Sequence, residues 1–462
     1  MDIRIRSNFA RPLLALLLAA FVMAVTLVVG GVRTAQALGC VVNDNGDAPA
    51  VNAATSCLTA GGTTTLRSAI QRTNNAGGTD TIFFNLPNPT TITLTNGVIP
   101  ITNTPAQTLT ITGAATPSAI VIDGNNNSGS FNIATGATVN ISGVTIQHGK
   151  AGNGGAIDNS GTLTITNSVL TNNATTANGA GIENRSGILT LVDTAVTNNT
   201  ITASGSGFVG AGIRSYNESG PATVNLTRVT ISGNNITGTN AGGGGIDLEN
   251  AGTYNFTNVT ISGNSATATG GGIFLTNGAQ LHATNITVAN NTANAGGGFD
   301  VDPNSIAFVT NTIASGNTPD NCHGSGGLTS SLGHSLELGS SCAFTQASDI
   351  HADPLLGALA TNPPGTLQTH SLPANSPAVD KADTAACPAT DERGVQRKLD
   401  GTCDIGAFEF IAAAVTPTPT PGLPRAGAPV GPAGPALEVG FALVLAGAGL
   451  LVMIWMRRRP AR

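Results

Sequence analysis

Residues 254–274 read YNFTNVTISGNSATATGGGIF; thirty residues earlier stands VNLTRVTISGN (224–234), followed by AGGGGIDLEN (241–250). The same phrase recurs in weaker form as VNISGVTIQHG from 139, LTITNSVLTNN from 163, LTLVDTAVTNN from 189, LHATNITVANN from 281 and AFVTNTIASGN from 307. A second phrase lies between the copies and ends at Ile157, Ile182, Ile213, Ile246, Ile273 and Phe299. A spacing of 20–50 residues marks stacked repeats. Within each copy apolar and polar residues alternate: Leu163 and Ile165 oppose Thr164 and Thr166, which is strand periodicity. Each unit carries short strands separated by Gly and Asn, and no unit can bury its apolar side alone. Coils stacked with like strands paired do bury it. The expected fold is therefore all-β: a right-handed parallel β-helix over residues 86–320. A leucine-rich array lacks its Leu lattice here, and a propeller needs longer four-stranded units.

One aligned position reads Gly149, Asn173, Asn199, Asn234, Asn264, Asn291 and Asn317. Asn tolerates left-handed backbone at corners, and stacked amides bond from layer to layer. These residues are expected to form corner ladders.

The ends read differently. Arg4, Arg6 and Arg11 precede an apolar run and an Ala35-Gln36-Ala37 site, the pattern of a signal peptide over residues 1–37. At the other end TPTPTP (416–421) is a stiff spacer, within 411–436. An apolar stretch over 437–456 is long enough for one membrane crossing, and basic residues close the chain over 457–462. The two outer segments, 1–37 and 457–462, hold eight of the 19 basic residues and one of the 25 acidic ones. Eleven and 24 remain, a net charge of −13. That balance excludes a nucleic-acid partner, which needs a basic footprint. Cys40, Cys57, Cys322, Cys342, Cys387 and Cys403 form three sequence-local couples. In an exported chain these read as disulfides, paired 40–57, 322–342 and 387–403 among 15 combinations.

Several segments resemble known families. ISGNSATATGGGIF and ANNTANAGGGFD resemble the repeats of polymorphic outer-membrane proteins and related right-handed β-helix proteins. CLTAGGTTTLRSAIQRTNNAGGTDTIFF (57–84) is similar to the CSLREA-type leader, with Ser68 where that pattern has Glu. TLRSAIQRTNN is expected to be a helix capping the coil stack, within a leader over 38–85. Residues 353–410 resemble the choice-of-anchor Q domain, within a module over 321–410; the cluster Asp391, Glu392, Arg393, Arg397, Lys398, Asp400 and Asp404 reads as an ion-paired, disulfide-containing closing cap. Leu423-Pro424-Arg425-Ala426-Gly427 resembles a sortase sorting motif, with Ala426 in the Thr position. Attachment to the wall by a sortase and a plain transmembrane stalk both account for that tail. The resemblances imply an exported bacterial surface protein held by its C-terminus.

The positions after each GGGI-type phrase carry much of the scarce charge. The first reads Asp158, Glu183, Arg214, Asp247, Phe274 and Asp300; the third reads Ser160, Arg185, Tyr216, Glu249, Thr276 and Asp302. In-register strands would place both columns on one outer face. One reading is a solvated face with charges paired across coils. Another is a groove for an extended polymer or for Ca²⁺, which clustered carboxylates suit; no other cofactor is expected. A third is a polysaccharide lyase or glycoside hydrolase. The only Trp, Trp455, lies in the expected membrane span, and Tyr216 and Tyr254 are the only tyrosines, so a sugar cleft is poorly equipped. His148 and His334 read as turn residues. The expected role is non-enzymatic: a surface adhesin or binder of extracellular polysaccharide or of a neighbouring or host cell surface. A structural envelope component is a further alternative.

Overall fold

A computed structural model describes residues 39–76, 78–102, 108–207, 209–324, 328–398 and 401–411. The expected signal peptide, the spacer from 412 onward with Leu423, Pro424, Ala426 and Gly427, the 437–456 span and the basic tail lie outside these residues. Among the described residues no helix is long and apolar enough to cross a membrane.

The chain is an all-β parallel β-helix. Each coil has three sides, and the repeat copies are partners in the ladder. Val139, Leu163, Leu189, Val224, Tyr254, Leu281 and Ala307 pair in succession on the longest side. The second phrase forms a nine-stranded sheet in which Ile157, Ile182, Ile213, Ile246, Ile273 and Phe299 are consecutive partners. A five-stranded sheet, starting at Lys150–Asn153, forms the third side. Parallel pairing extends outside 86–320: Gly39–Val42 pairs with Thr79–Phe84, and Leu336–Glu337 pairs with Ile350–His351. The inward residues stack as a continuous apolar core, Leu163 over Leu189 over Val224, all fully buried. The extra residues after Ile201 are absorbed as an irregularity between Thr202 and Ser206, and pairing resumes at Val209 with Gly242.

The Asn column is a buried ladder. Nδ2 donates to the next Oδ1 at 2.9 Å from Asn173 to Asn199, Asn234, Asn264, Asn291 and Asn317. Each Nδ2 also reaches a carbonyl one coil back, as Asn264 does to Ile231 at 3.0 Å. Left-handed backbone belongs instead to the preceding residue: Asn172, Asn198, Gly233, Gly263, Asn290 and Gly316 all have positive φ. The ladder amides are thus needed for hydrogen bonding, and their neighbours for the turn. His148 and His334 also sit at positive φ, and His148 Nδ1 lies 2.9 Å from Asp123 one coil back.

The helix Leu66–Thr73 closes the start of the stack. Thr65 and Ser68 form a reciprocal cap, so Ser68 takes the capping position where the resembling leader has Glu. Leu66, Ala69 and Ile70 enter the core, and Arg67 pairs with buried Asp47 at 2.8 Å. Disulfides join Cys40–Cys57, Cys322–Cys342 and Cys387–Cys403.

The C-terminal module closes the stack from the side. Beyond a left-handed bend at Asp193, Arg228, Asn258 and Asn285 the long side turns, and the module packs on that outer flank. Thr230 and Thr260 meet Glu392, Ser262 meets His370, and Thr287 accepts from the amide of Ala407. Arg393 pairs with Asp391 and Arg397 with Glu409; Lys398 bonds the Thr384 carbonyl. Asp400 lies outside the described residues.

Candidate functional site

Pairing in the nine-stranded sheet puts Asp158, Glu183, Arg214, Asp247, Phe274 and Asp300 in one outward column, and His323 continues it. Arg185 pairs with Tyr216 and Glu249 with Thr276 in the second column. Asp302 falls just past the strand Phe299–Val301 and caps a turn, accepting from Ser305 Oγ and the amide of Asn277 at 2.8 Å each.

The charges are consumed between coils. Arg185 Nε donates to Asp158 at 2.8 Å. Arg214 donates to Glu183 at 3.0 Å and to Glu249 at 2.6 Å, its Nε lies 3.9 Å from Asp247, and its guanidinium covers the Tyr216 ring at 4.0 Å. His323 Nδ1 lies 2.8 Å from Asp300. A left-handed glycine sits over this column in each of the six coils from Asp158 to Asp300. At Gly243, with φ +66, an added Cβ would stand 2.8 Å from Asp247 Cβ, so only glycine leaves room for the acid beneath it.

Burial dominates the electrostatics here. It pushes the Glu183 carboxyl up to about 7 despite Arg214. It holds Asp247 well above the ordinary carboxylate range, with Glu249 adding to the effect. Such acids attract attention as catalytic candidates. Yet Asp247 is 0% exposed and Glu183 1%, whereas a general acid must come within about 2.6–3.2 Å of a substrate atom. In the two columns Ser160, Arg185, Arg214, Tyr216, Glu249, Phe274, Thr276, Asp302 and His323 are partly or fully exposed, whereas Asp158, Glu183, Asp247 and Asp300 are buried. Among the described residues no group of three or more His, Cys, Asp or Glu is placed to hold a metal ion. Two shallow depressions of about 340 and 420 Å³, at His334–Lys381 and Gln71–Thr102, involve neither column.

A second surface went unrecognised as a site in the sequence. On the long side before the bend, three outward columns run through eight coils. They start at Thr108, Thr110 and Thr112 and end at Ile306, Phe308 and Thr310. Fourteen of these 24 positions are Thr, three are Asn, and none is Asp, Glu, Lys or Arg. All are partly or fully exposed. Asn225 and Asn255 bond each other across the face at 3.0 Å, and His282 stacks on Phe308 at 5.0 Å. Coils repeat about every 4.8 Å, and like-facing residues recur about every 6.6 Å along a strand. The result is a flat grid of hydroxyls, methyls and amides. Its signal lay in the alternating Thr of TLTIT at 108–112 and 162–166.

No family model and no curated protein matches the chain. The solved structure of pectate lyase Pel9A is similar over 81% of this chain and 97% of that one, at 17% identity and a TM-score of 0.45. The assignment of the fold rests on the strand pairing alone.

Proposed function

We propose that the protein is a non-enzymatic, surface-displayed binder of extended extracellular polysaccharide, and that the Thr- and Asn-rich face receives the polymer. The supporting observation is the uncharged, in-register grid over eight coils, in an ectodomain whose net charge is otherwise strongly negative. A neutral polymer meets no unpaired charge there and finds a donor or acceptor at each step. Single contacts of this kind are weak, so affinity comes from many made together. Long or ordered chains are therefore bound and short oligosaccharides are not. Export and C-terminal anchoring are part of the proposal. They rest on the signal-like and sorting-like segments, on the resemblances to β-helix surface proteins, the CSLREA-type leader and the choice-of-anchor Q domain, and on three disulfides, which persist in oxidising compartments.

The test is retention of the purified protein on insoluble cellulose and chitin, compared with pectate. Retention on the neutral polymers is expected, and Thr164→Arg with Asn225→Arg should lower it about tenfold or more with unfolding unchanged. Equal retention of the double variant would remove this face from the proposal. A lyase or hydrolase working on the strip is the second reading, favoured by the partly exposed Glu249 beside Arg214 and Tyr216. Shortening of any polymer during the incubation, abolished by Glu249→Gln, would replace the first reading with the second.

A further inference from the structure

Glu392 is 2% exposed and lies between the C-terminal module and the solenoid. Its Oε1 is 2.9 Å from Thr230 Oγ1, and its Oε2 is 2.5 Å from Thr260 Oγ1. Thr230 and Thr260 are direct partners on adjacent coils, so one carboxyl bridges both. Thr230 Oγ1 also lies 2.8 Å from the Gln368 carbonyl oxygen. A hydroxyl carries one proton and a carbonyl can only accept. If Thr230 donates to Gln368, its contact with Glu392 needs a hydrogen from the acid. Thr260 then donates to the other carboxyl oxygen, and every contact holds one hydrogen.

We propose that Glu392 is a protonated latch, whose acidic hydrogen fastens the C-terminal module to two coils of the solenoid and whose loss loosens it. The surroundings fit. The solenoid offers Glu392 the hydroxyls of Thr230 and Thr260 and, as a smaller contribution, the Thr260 backbone, and among the described residues no charged group. On the module side Asp391 is adjacent, its carboxylate bound to Arg393 and to the amides of Arg393, Val395 and Glu409. Arg397 is committed to Glu409 and Asn258, and His370 to Ser262 and the Gly357 carbonyl. No ion pair to Glu392 forms among the described residues, and burial, with Asp391 adding to it, holds this acid well above the ordinary Glu range.

The docked state keeps a proton that the undocked module releases above the ordinary Glu value of 4.5. Docking is therefore strongest in acid and weakens as pH rises, until the docked acid itself ionises. Hydrogen exchange in residues 379–398 and 401–410 of the full chain reads this out. After correction for intrinsic rates, opening in the wild type should rise by up to about tenfold per pH unit above 4.5 from this one proton. Glu392→Gln keeps a donor toward Thr230 and an acceptor toward Thr260, so it should dock at all pH values and lose that share of the slope. Asp404, pushed up by burial to about 7, contributes equally to both proteins and cancels in the comparison. Identical slopes would overturn the proposal, as would an undocked Glu392→Gln module. Infrared difference spectra at pH 8 give an independent reading: a protonated-carboxyl band present in the wild type and lost in the variant is expected, and no difference overturns the latch.

Discussion

Asn264→Ala should cost the protein about 1–3 kcal/mol. One group loses its partner outright, the amide of Asn234, which donates to Asn264 Oδ1 at 3.0 Å; the carbonyl of Ile231, which accepts from Nδ2 at 3.0 Å, loses that bond but stays in the paired strand Thr223–Ser232. That amide belongs to a fully enclosed corner, where an unmet backbone group costs about 1–3 kcal/mol. The side chains of Asn234 and Asn291 keep other bonds, to the Val196 carbonyl and from the Asn264 amide, so the damage stops there. Because each coil leans only on its neighbours, hydrogen exchange should rise first in the coils holding Asn234 and Asn264. A drop in stability below about 1 kcal/mol, the net worth of one ordinary hydrogen bond, would mean that water enters the corner and the ladder is not a continuous buried element.

Arg214→Met should lower stability by about 3–5 kcal/mol at neutral pH, the usual result of removing one partner from a buried charge cluster. Three carboxyls, Glu183, Asp247 and Glu249, share this one guanidinium. The loss should depend on pH. Glu183 is held up to about 7, above its ordinary value of 4.5. The folded state therefore keeps a proton that the unfolded chain has lost, and stability falls as pH rises through that window. Without Arg214 the folded acids hold their protons still more tightly, so the fall steepens and runs past pH 7. Urea midpoints at pH 5 and pH 8 test this: the deficit of the variant should be clearly smaller at pH 5. Equal deficits would show that Arg214 contributes packing on Tyr216 and not charge neutralisation.

The same cluster shows how far the residues could be read in advance. Spacing alone placed Asp158, Glu183, Arg214, Asp247 and Asp300 in one column. It did not show that the glycines before them bend over the column and bury the acids, because that depends on backbone geometry at residues such as Gly243. The Thr face was equally legible as alternation. Its standing as an open surface depended on where the C-terminal module lies.

What the sequence determined by itself was the coil and its register. In a parallel stack like pairs with like one repeat later, so each structural contact leaves a periodic trace: Leu163 with Leu189, Ile157 with Ile182, Asn173 with Asn199. The cysteine couples were legible for a similar reason, since each closes a loop of 16 to 20 residues. Only the tertiary structure decided which flank the module covers. Thr230 meets Glu392 across 162 residues, and Asn258 meets Arg397 across 139. These contacts occur once, between a repeat and a segment that does not repeat. Nothing in the spacing of either partner encodes them, and they form only because both surfaces have already been shaped by folding.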